Sequence, residues 1–337
     1  MPKQVMTPTA YKSKLGLIET EVALKKVKDY FETRLSEVLQ LVRVSAPLFI
    51  KSGRGLNDNL NGVERVVSFD ALDVKEEHVE IVQSLSKWKR SALAKYQFPL
   101  GTGLYTDMKA IRRDEELDNL HSIYVDQWDW EKVISRQQRN LVTLEEEVKK
   151  IYSAIKDTEE FVHDLYPAIQ PCLPKSIYFI TTQELETMYP ALSPKEREEA
   201  IAKKHGAVFI MQIGGKLRSG EKHDGRSPDY DDWSLNGDII VWYPTLESAV
   251  ELSSMGIRVD KNALLRQLQA ADCEDRVGLA YHQAILKEEL PFSIGGGIGQ
   301  SRLCMFFLQK AHIGEVQVSV WNDEVLKECE ENNIPLL

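Results

Sequence analysis

Apolar residues at roughly helical spacing mark residues 21–41, where Val22, Val27, Tyr30, Phe31, Val38 and Leu41 predict one buried helix face. Val42-Arg43-Val44 follows as a short strand, stopped at Pro47. Residues 78–82 read as a strand leading into Gln83-Ser84. Residues 104–111 and 121–130 read as two strands around an acidic turn, a hairpin-like arrangement. The spacing predicts a long helix over 131–155, with Val133, Ile134, Leu141, Leu144, Val148, Ile151 and Ile155 inward. Ser193-Pro194-Lys195-Glu196 is a capping box with proline at the first helical position. It opens a helix that Gly206 ends. Residues 207–213, 238–243 and 251–259 read as strands, and 303–308 as a helix after a glycine run.

No internal repeat, low-complexity tract or Pro/Gly/Ser-rich linker divides the chain. Residues 1–337 therefore read as one domain, with 1–20 a loose N-terminal extension. Helices cluster between groups of strands rather than alternating with them. That predicts an α+β fold on a mixed, mostly antiparallel sheet flanked by helices, not a doubly wound one.

The formal net charge of -10 argues against general nucleic-acid binding, because contact with phosphates needs a basic footprint. No apolar run approaches the length of a membrane span. Cys172, Cys273, Cys304 and Cys329 form no CxxC pair, and no signal peptide is evident, so they read as reduced thiols of a cytoplasmic protein. The scattered histidines offer no zinc-ligand spacing.

Several segments carry candidate chemistry. Gly295-Gly296-Gly297-Ile298-Gly299-Gln300-Ser301-Arg302 is neither a P-loop nor a GxGxxG fingerprint. Its glycines permit close backbone approach to a flat ligand, and Arg302 can reach a phosphate or stack on a base. Arg112, ahead of Arg113-Asp114-Glu115-Glu116, suits phosphate contact at a strand end. Along residues 123–130, alternation puts Gln127 and Asp129 on one face with Val125, and Asp126, Trp128 and Trp130 on the other. Asp238 and Glu251, both on predicted strands, suit magnesium bridging a nucleotide's phosphates, and Glu251 is expected to share a face with Ser253. The polar and basic stretch 83–90 suits a substrate carboxylate, while Asp58 and the 229–232 acidic cluster are loop candidates.

The order of these elements resembles the three signature motifs of class II aminoacyl-tRNA synthetase catalytic domains. The first ends at Pro47, the second carries Arg112 and the third Arg302. Segments 58–60, 84–90, 124–131, 228–233, 235–238, 251–259 and 295–302 resemble asparagine synthetase A, the ammonia-using family built on that core. The likeness runs from about residue 11 to 321, with Tyr-Val-Asp-Gln-Trp-Asp-Trp-Glu and Glu-Leu-Ser-Ser-Met-Gly-Ile-Arg-Val its most specific stretches. Arg113 stands where bacterial members more often have proline, and the stretch between Trp233 and Leu235 looks shorter than theirs, which puts any lid there in doubt.

The resemblance implies ATP-dependent synthesis of asparagine from aspartate and ammonia through β-aspartyl-AMP, with magnesium as cofactor and a homodimer as the assembly. It implies that Arg112 holds the α-phosphate and the β-carboxylate, and Arg302 the γ-phosphate or pyrophosphate. Arg258, Gly297 and Gly299 join them around the nucleotide, and Asp238 with Glu251 carries magnesium. Lys89, Ser84 and Gln127 are expected on a substrate carboxylate, Asp129 and Asp231 on the α-ammonium, and Tyr230, Ser253 and Ser254 beside them. Asp58 or Asp129 takes the ammonium proton, a choice left open. Pro2 removes the N-terminal nucleophile that glutamine-dependent amide transfer often uses, which favours free ammonia. The rival readings are an aspartyl- or asparaginyl-tRNA synthetase-like adenylating enzyme and a non-catalytic paralogue. The first expects a nucleic-acid-binding domain, for which the stretch ahead of residue 21 is too short. The second expects loss of Arg112, Glu251 or Arg302, and all three are present.

Overall fold

The computed structural model describes Pro8, residues 11–58 and residues 64–337. The expected loose extension lies partly outside these residues. Within them the chain is tied down from Tyr11 onward: the Tyr11 hydroxyl donates to Glu315 at 2.9 Å, and Lys310 donates to Ser13 and Thr20 at 2.7 and 2.8 Å. The first helix, α1 (Leu17–Leu39), starts earlier than expected. Its buried stripe is Ala23, Leu24, Val27, Phe31, Leu35 and Leu39, whereas Val22 is 48% exposed. Gln40, in the left-handed region at φ 59°, ends α1 and turns the chain into β1 (Leu41–Arg43).

Three short strands follow, β2 (Phe49–Lys51), β3 (Ser68–Ala71) and β4 (Val74–Ile81), and make a small antiparallel sheet in the order β2-β4-β3. Helix α2 (Ser86–Tyr96) leads to β5 (Gly103–Ile111) and β6 (Tyr124–Val133), an antiparallel pair around the Arg112 turn. The long helix expected from residue 131 is instead α3 (Leu141–Leu165), because Glu131, Lys132 and Val133 are held in the sheet between two partner strands. Asn140 caps α3, its side chain accepting from the Thr143 N–H at 3.0 Å. Strand β7 (Tyr178–Thr181), α4 (Thr182–Met188) and α5 (Pro194–His205) precede β8 (Ala207–Met211). The predicted Ser193 box caps α5. Next come β9 (Asp231–Tyr243), β10 (Ser248–Arg258), α6 (Lys261–Ala270) and α7 (Ala280–Leu286). The chain closes with β11 (Ser293–Gly299), α8 (Gln300–Phe307) and α9 (Asp323–Glu331).

The main sheet has the order β1-β5-β6-β11-β10-β9-β8-β7. It is antiparallel except at its edges, where β1 pairs with β5 and β7 with β8 in parallel. The α+β expectation holds. One face carries the largest apolar core, in which Phe31, Leu144, Val148, Ile151 and Phe306 pack with Trp128, Trp130, Met255, Ile294 and Ile298. The rings of Phe31 and Trp128 lie 4.8 Å apart. Alternation along β6 then turns Gln127, Asp129 and Glu131 to the opposite face. The glycine run, given no secondary structure by its sequence beyond preceding a helix, is the strand β11 in mid-sheet. Its glycines serve close approach: a Cβ on Gly295 would stand 2.0 Å from Glu131 Oε2, and one on Gly297 2.4 Å from Gln127 Oε1.

Candidate active site

A cleft of about 490 Å³ opens on the face of the sheet away from the large core. Gln127, Asp129, Gly296, Gly297 and Gly299 form its floor, and Glu251, Ser254 and Arg258 continue it on β10. Arg112, Asp114 and Glu115 enter from the β5–β6 turn, Asp58 and Ser84 from the segments flanking the small sheet, and Arg226, Tyr230 and Asp231 from the loop before β9. Arg302 enters from α8, one turn past the glycines. Residues scattered over most of the chain thus meet because the central strands β6, β11 and β10 are neighbours.

Three expected residues do not line the cleft. Lys89 is fully buried; its ammonium donates to Asp129 Oδ1 and to the Gly296 carbonyl, both at 2.7 Å. Burial pushes its pKa down, and its two bonds leave it holding the floor rather than meeting a substrate carboxylate. Ser253 turns away because a bulge between Glu251 and Ser253 breaks the two-residue alternation; Ser254 lines the cleft with Glu251 instead. Asp238, cross-strand from Ser254, is buried under Arg226, with which it is ion-paired.

Acidic and basic side chains line both ends of the cleft. At one, Asp129 presents a carboxylate whose Oδ2 has no hydrogen-bond partner, and Asp58, Tyr230 and Asp231 stand with it. Burial raises the Asp231 carboxyl, and Arg258 opposes that shift through an ion pair. Arg258, expected on the nucleotide, has every guanidinium nitrogen committed: Nη1 to Asp231, and Nε and Nη2 to Glu131 at 3.0 and 2.7 Å. It braces Asp231 against Glu131, which also accepts from Ser293 at 2.7 Å. At the other end, Arg112 keeps a buried Nε–H without a partner and lies 3.9 Å from Glu115. The Arg302 guanidinium donates to the Glu251 carbonyl at 2.9 Å, which aims it along the sheet.

Asp238 and Glu251 fit a magnesium ion that shares its shell with phosphates. They occupy adjacent strands, and Asp238 Oδ1 is buried without a partner. Burial and the nearby Glu251 carboxylate raise the Asp238 carboxyl in spite of Arg226. Among the described residues no group of three or more His, Cys, Asp or Glu could hold a metal ion.

Sequence reasoning missed Glu131 and Arg226, and it did not join Lys87 of the basic stretch to Asp229 of the acidic cluster, which form a buried pair. Glu131 was legible as the third member of the Gln127, Asp129 alternation, had the strand been extended. Arg226 sits in an irregular loop without periodicity, so nothing in the sequence marked it. Trp233 to Leu235 runs straight through β9 and forms no lid; the loop before β9 overhangs the cleft instead. Among the described residues no helix is long and apolar enough to cross a membrane.

The aspartate–ammonia ligase family profile matches residues 18–333. The aspartate–ammonia ligase of Clostridium perfringens (strain SM101 / Type A) is 62% identical over 335 residues, covering 99% of this chain and 100% of its own. That of Fusobacterium nucleatum is 61% identical over 328 residues, covering 97% and 100%. Among solved structures, asparaginyl-tRNA synthetase from Pyrococcus horikoshii complexed with asparaginyl-adenylate superposes with a TM-score of 0.64 at 14% identity, over 88% of this chain and 68% of that one. That likeness shows the class II synthetase core as a shared fold. With the profile spanning nearly the whole length and the relatives this similar, the chain belongs to the aspartate–ammonia ligase family.

Proposed function

We propose that the protein makes L-asparagine from L-aspartate, ammonia and ATP through β-aspartyl-AMP, releasing AMP and pyrophosphate. The observation that carries this reading is the cleft, with Arg112 and Arg302 at one end and Asp58, Asp129 and Asp231 at the other, on a glycine-cleared floor. A β-carboxylate oxygen attacks the α-phosphorus and pyrophosphate leaves. Arg112 holds the α-phosphate and the attacking carboxylate, and Arg302 the departing pyrophosphate, where charge builds up in the transition state. Asp129 and Asp231 hold the α-ammonium of aspartate, with Ser84, Gln127, Tyr230 and Ser254 around the substrate. Lys89 and Arg258 act behind them, as braces for Asp129 and Asp231. Gly297 and Gly299 let the nucleotide lie against the sheet. Asp238 and Glu251 would hold magnesium, which when bound would neutralise charge on the phosphates. In the second step ammonia attacks the β-carbonyl carbon and AMP leaves. Ammonium is the main form near neutral pH, so Asp58 or Asp129 takes its proton first.

The exposed edge strand β1, with Val42 59% exposed, and the adjoining helix α1 form the surface through which we expect two copies to pair. A cytoplasmic location is consistent with four free cysteines.

The test incubates purified protein with ATP, magnesium and aspartate, with and without ammonium. Asparagine and AMP should form in step and only with ammonium, and Arg302→Ala should be silent. Chelating magnesium should stop the reaction, and Asp238→Asn should raise the magnesium concentration needed for half-maximal rate. Aspartate-dependent pyrophosphate–ATP exchange without asparagine would point to another acceptor, such as a tRNA. Neither signal in folded protein would sink the catalytic reading.

A further inference from the structure

Helix α2 buries three cations within its first two turns, Lys87, Lys89 and Arg90. Lys89 holds the floor, and Arg90 donates to the Pro291 and Val259 carbonyls at 2.9 and 2.7 Å. Lys87 has a different reach. Its ammonium lies 2.9 Å from Asp229 Oδ2 and donates to the Asn57 carbonyl at 3.2 Å. Asn57 precedes Asp58, and Asp229 precedes Tyr230 and Asp231. One buried ammonium therefore joins the two segments that bring those three residues to the cleft from opposite sides.

Asn57 and Asp229 are each anchored by further bonds. The Asn57 side chain donates to Glu80 and to the Ile81 carbonyl at 3.1 and 3.3 Å, and accepts from the Gln83 N–H at 2.9 Å. Asp229 accepts from Ser227 at 2.7 Å and lies 3.0 Å from His282 Nε2 and 3.3 Å from Arg276 Nη1. Burial alone would raise the Asp229 carboxyl; the Lys87 ammonium and its hydrogen-bond donors outweigh that and hold it well below the usual carboxylate range. The two segments face each other closely enough that, after burial, Asp58 is the largest influence raising the Tyr230 phenol. Neither Lys87 nor Asp229 lines the cleft.

We propose that Lys87 and Asp229 are a positioning pair that sets the separation between Asp58 and the Tyr230–Asp231 segment, and so tunes capture of ammonium and aspartate. This rests on the ligase reading. A buried ion pair gives little net stability over apolar side chains of the same volume, so its contribution here is geometric. The nucleotide end, at Arg112 and Arg302, is bonded to neither residue.

The test uses the full chain with Lys87→Met and, separately, Asp229→Asn. In folded variants the KM for ammonium and for aspartate should each rise at least about tenfold, with the KM for ATP within about twofold. Amide hydrogen exchange should speed up together in residues 55–58 and 227–231. Equal rises in all three constants, no rise, or faster exchange in one segment alone would each overturn the pair. Failure of both variants to fold would overturn it too, making Lys87 and Asp229 a core requirement. Should the unaltered protein make no asparagine, the ligase reading falls separately, and the exchange of the two segments still decides the pair.

Discussion

Single side chains set the tolerances of this cleft. Gly297 has an unremarkable backbone, yet its missing Cβ leaves the space that Gln127 and Asp129 occupy; an added Cβ would lie 2.4 and 2.9 Å from their oxygens. Gly297→Ala should therefore leave the fold intact while lowering kcat/KM for aspartate on the order of 100-fold, since small misplacements of reacting groups are that costly. Steady-state kinetics beside a thermal melt would check it. His312 sets a pH limit. It is fully buried, and its Nδ1 accepts from the Gly314 N–H at 3.0 Å, so the ring is neutral. Burial pushes its pKa down to about 4 from 6.5. Between those values the unfolded chain binds the extra proton and the folded one does not, so stability falls as pH drops from about 6.5 to about 4. The loss amounts to about 3 kcal/mol. His312→Asn, which keeps a capping oxygen, should flatten that part of a stability–pH profile; an unchanged slope would refute the assignment.

At the scale of elements, boundaries decide which residues become chemistry. Extending β6 through Val133 lets Glu131 pair with Arg258 instead of lying on a helix, and β11 makes a sheet floor of the glycine run. The bulge in β10 exchanges Ser253 for Ser254. Where the strand stops, Asn140 starts α3, whose buried residues Leu144, Val148, Ile151 and Ile155 pack in the large core. Asn140→Ala removes one cap and should cost about 1 kcal/mol in chemical denaturation without altering KM values. A shift in KM for any substrate would mean that α3 bears on the cleft more directly than its packing indicates.

For the whole molecule, the edge strand β1 leaves one end of an eight-stranded sheet open. An unpaired edge beside apolar side chains is a liability unless covered. Sedimentation equilibrium should therefore give twice the 38.5 kDa chain mass at micromolar concentration, with Val42→Lys shifting the equilibrium toward monomer. A monomer in the unaltered protein would refute pairing through this face.

Period and punctuation determined much in the sequence alone. The Trp128/Trp130 and Gln127/Asp129 faces followed from alternation, the start of α5 from its capping box, and the antiparallel class from the order of elements. These properties arise within one stretch of backbone, so local order encodes them. Tertiary structure alone decided which charges face solvent, which pair inside and which meet substrate. Lys89 and Arg258 resemble ligands along the chain, but each is committed to residues or carbonyls far away in sequence. Arg226 and the Lys87–Asp229 pair are functional candidates only because folding brings their partners within reach. A buried charge takes its role from whatever compensates its lost hydration, and that partner is fixed only when distant segments pack together.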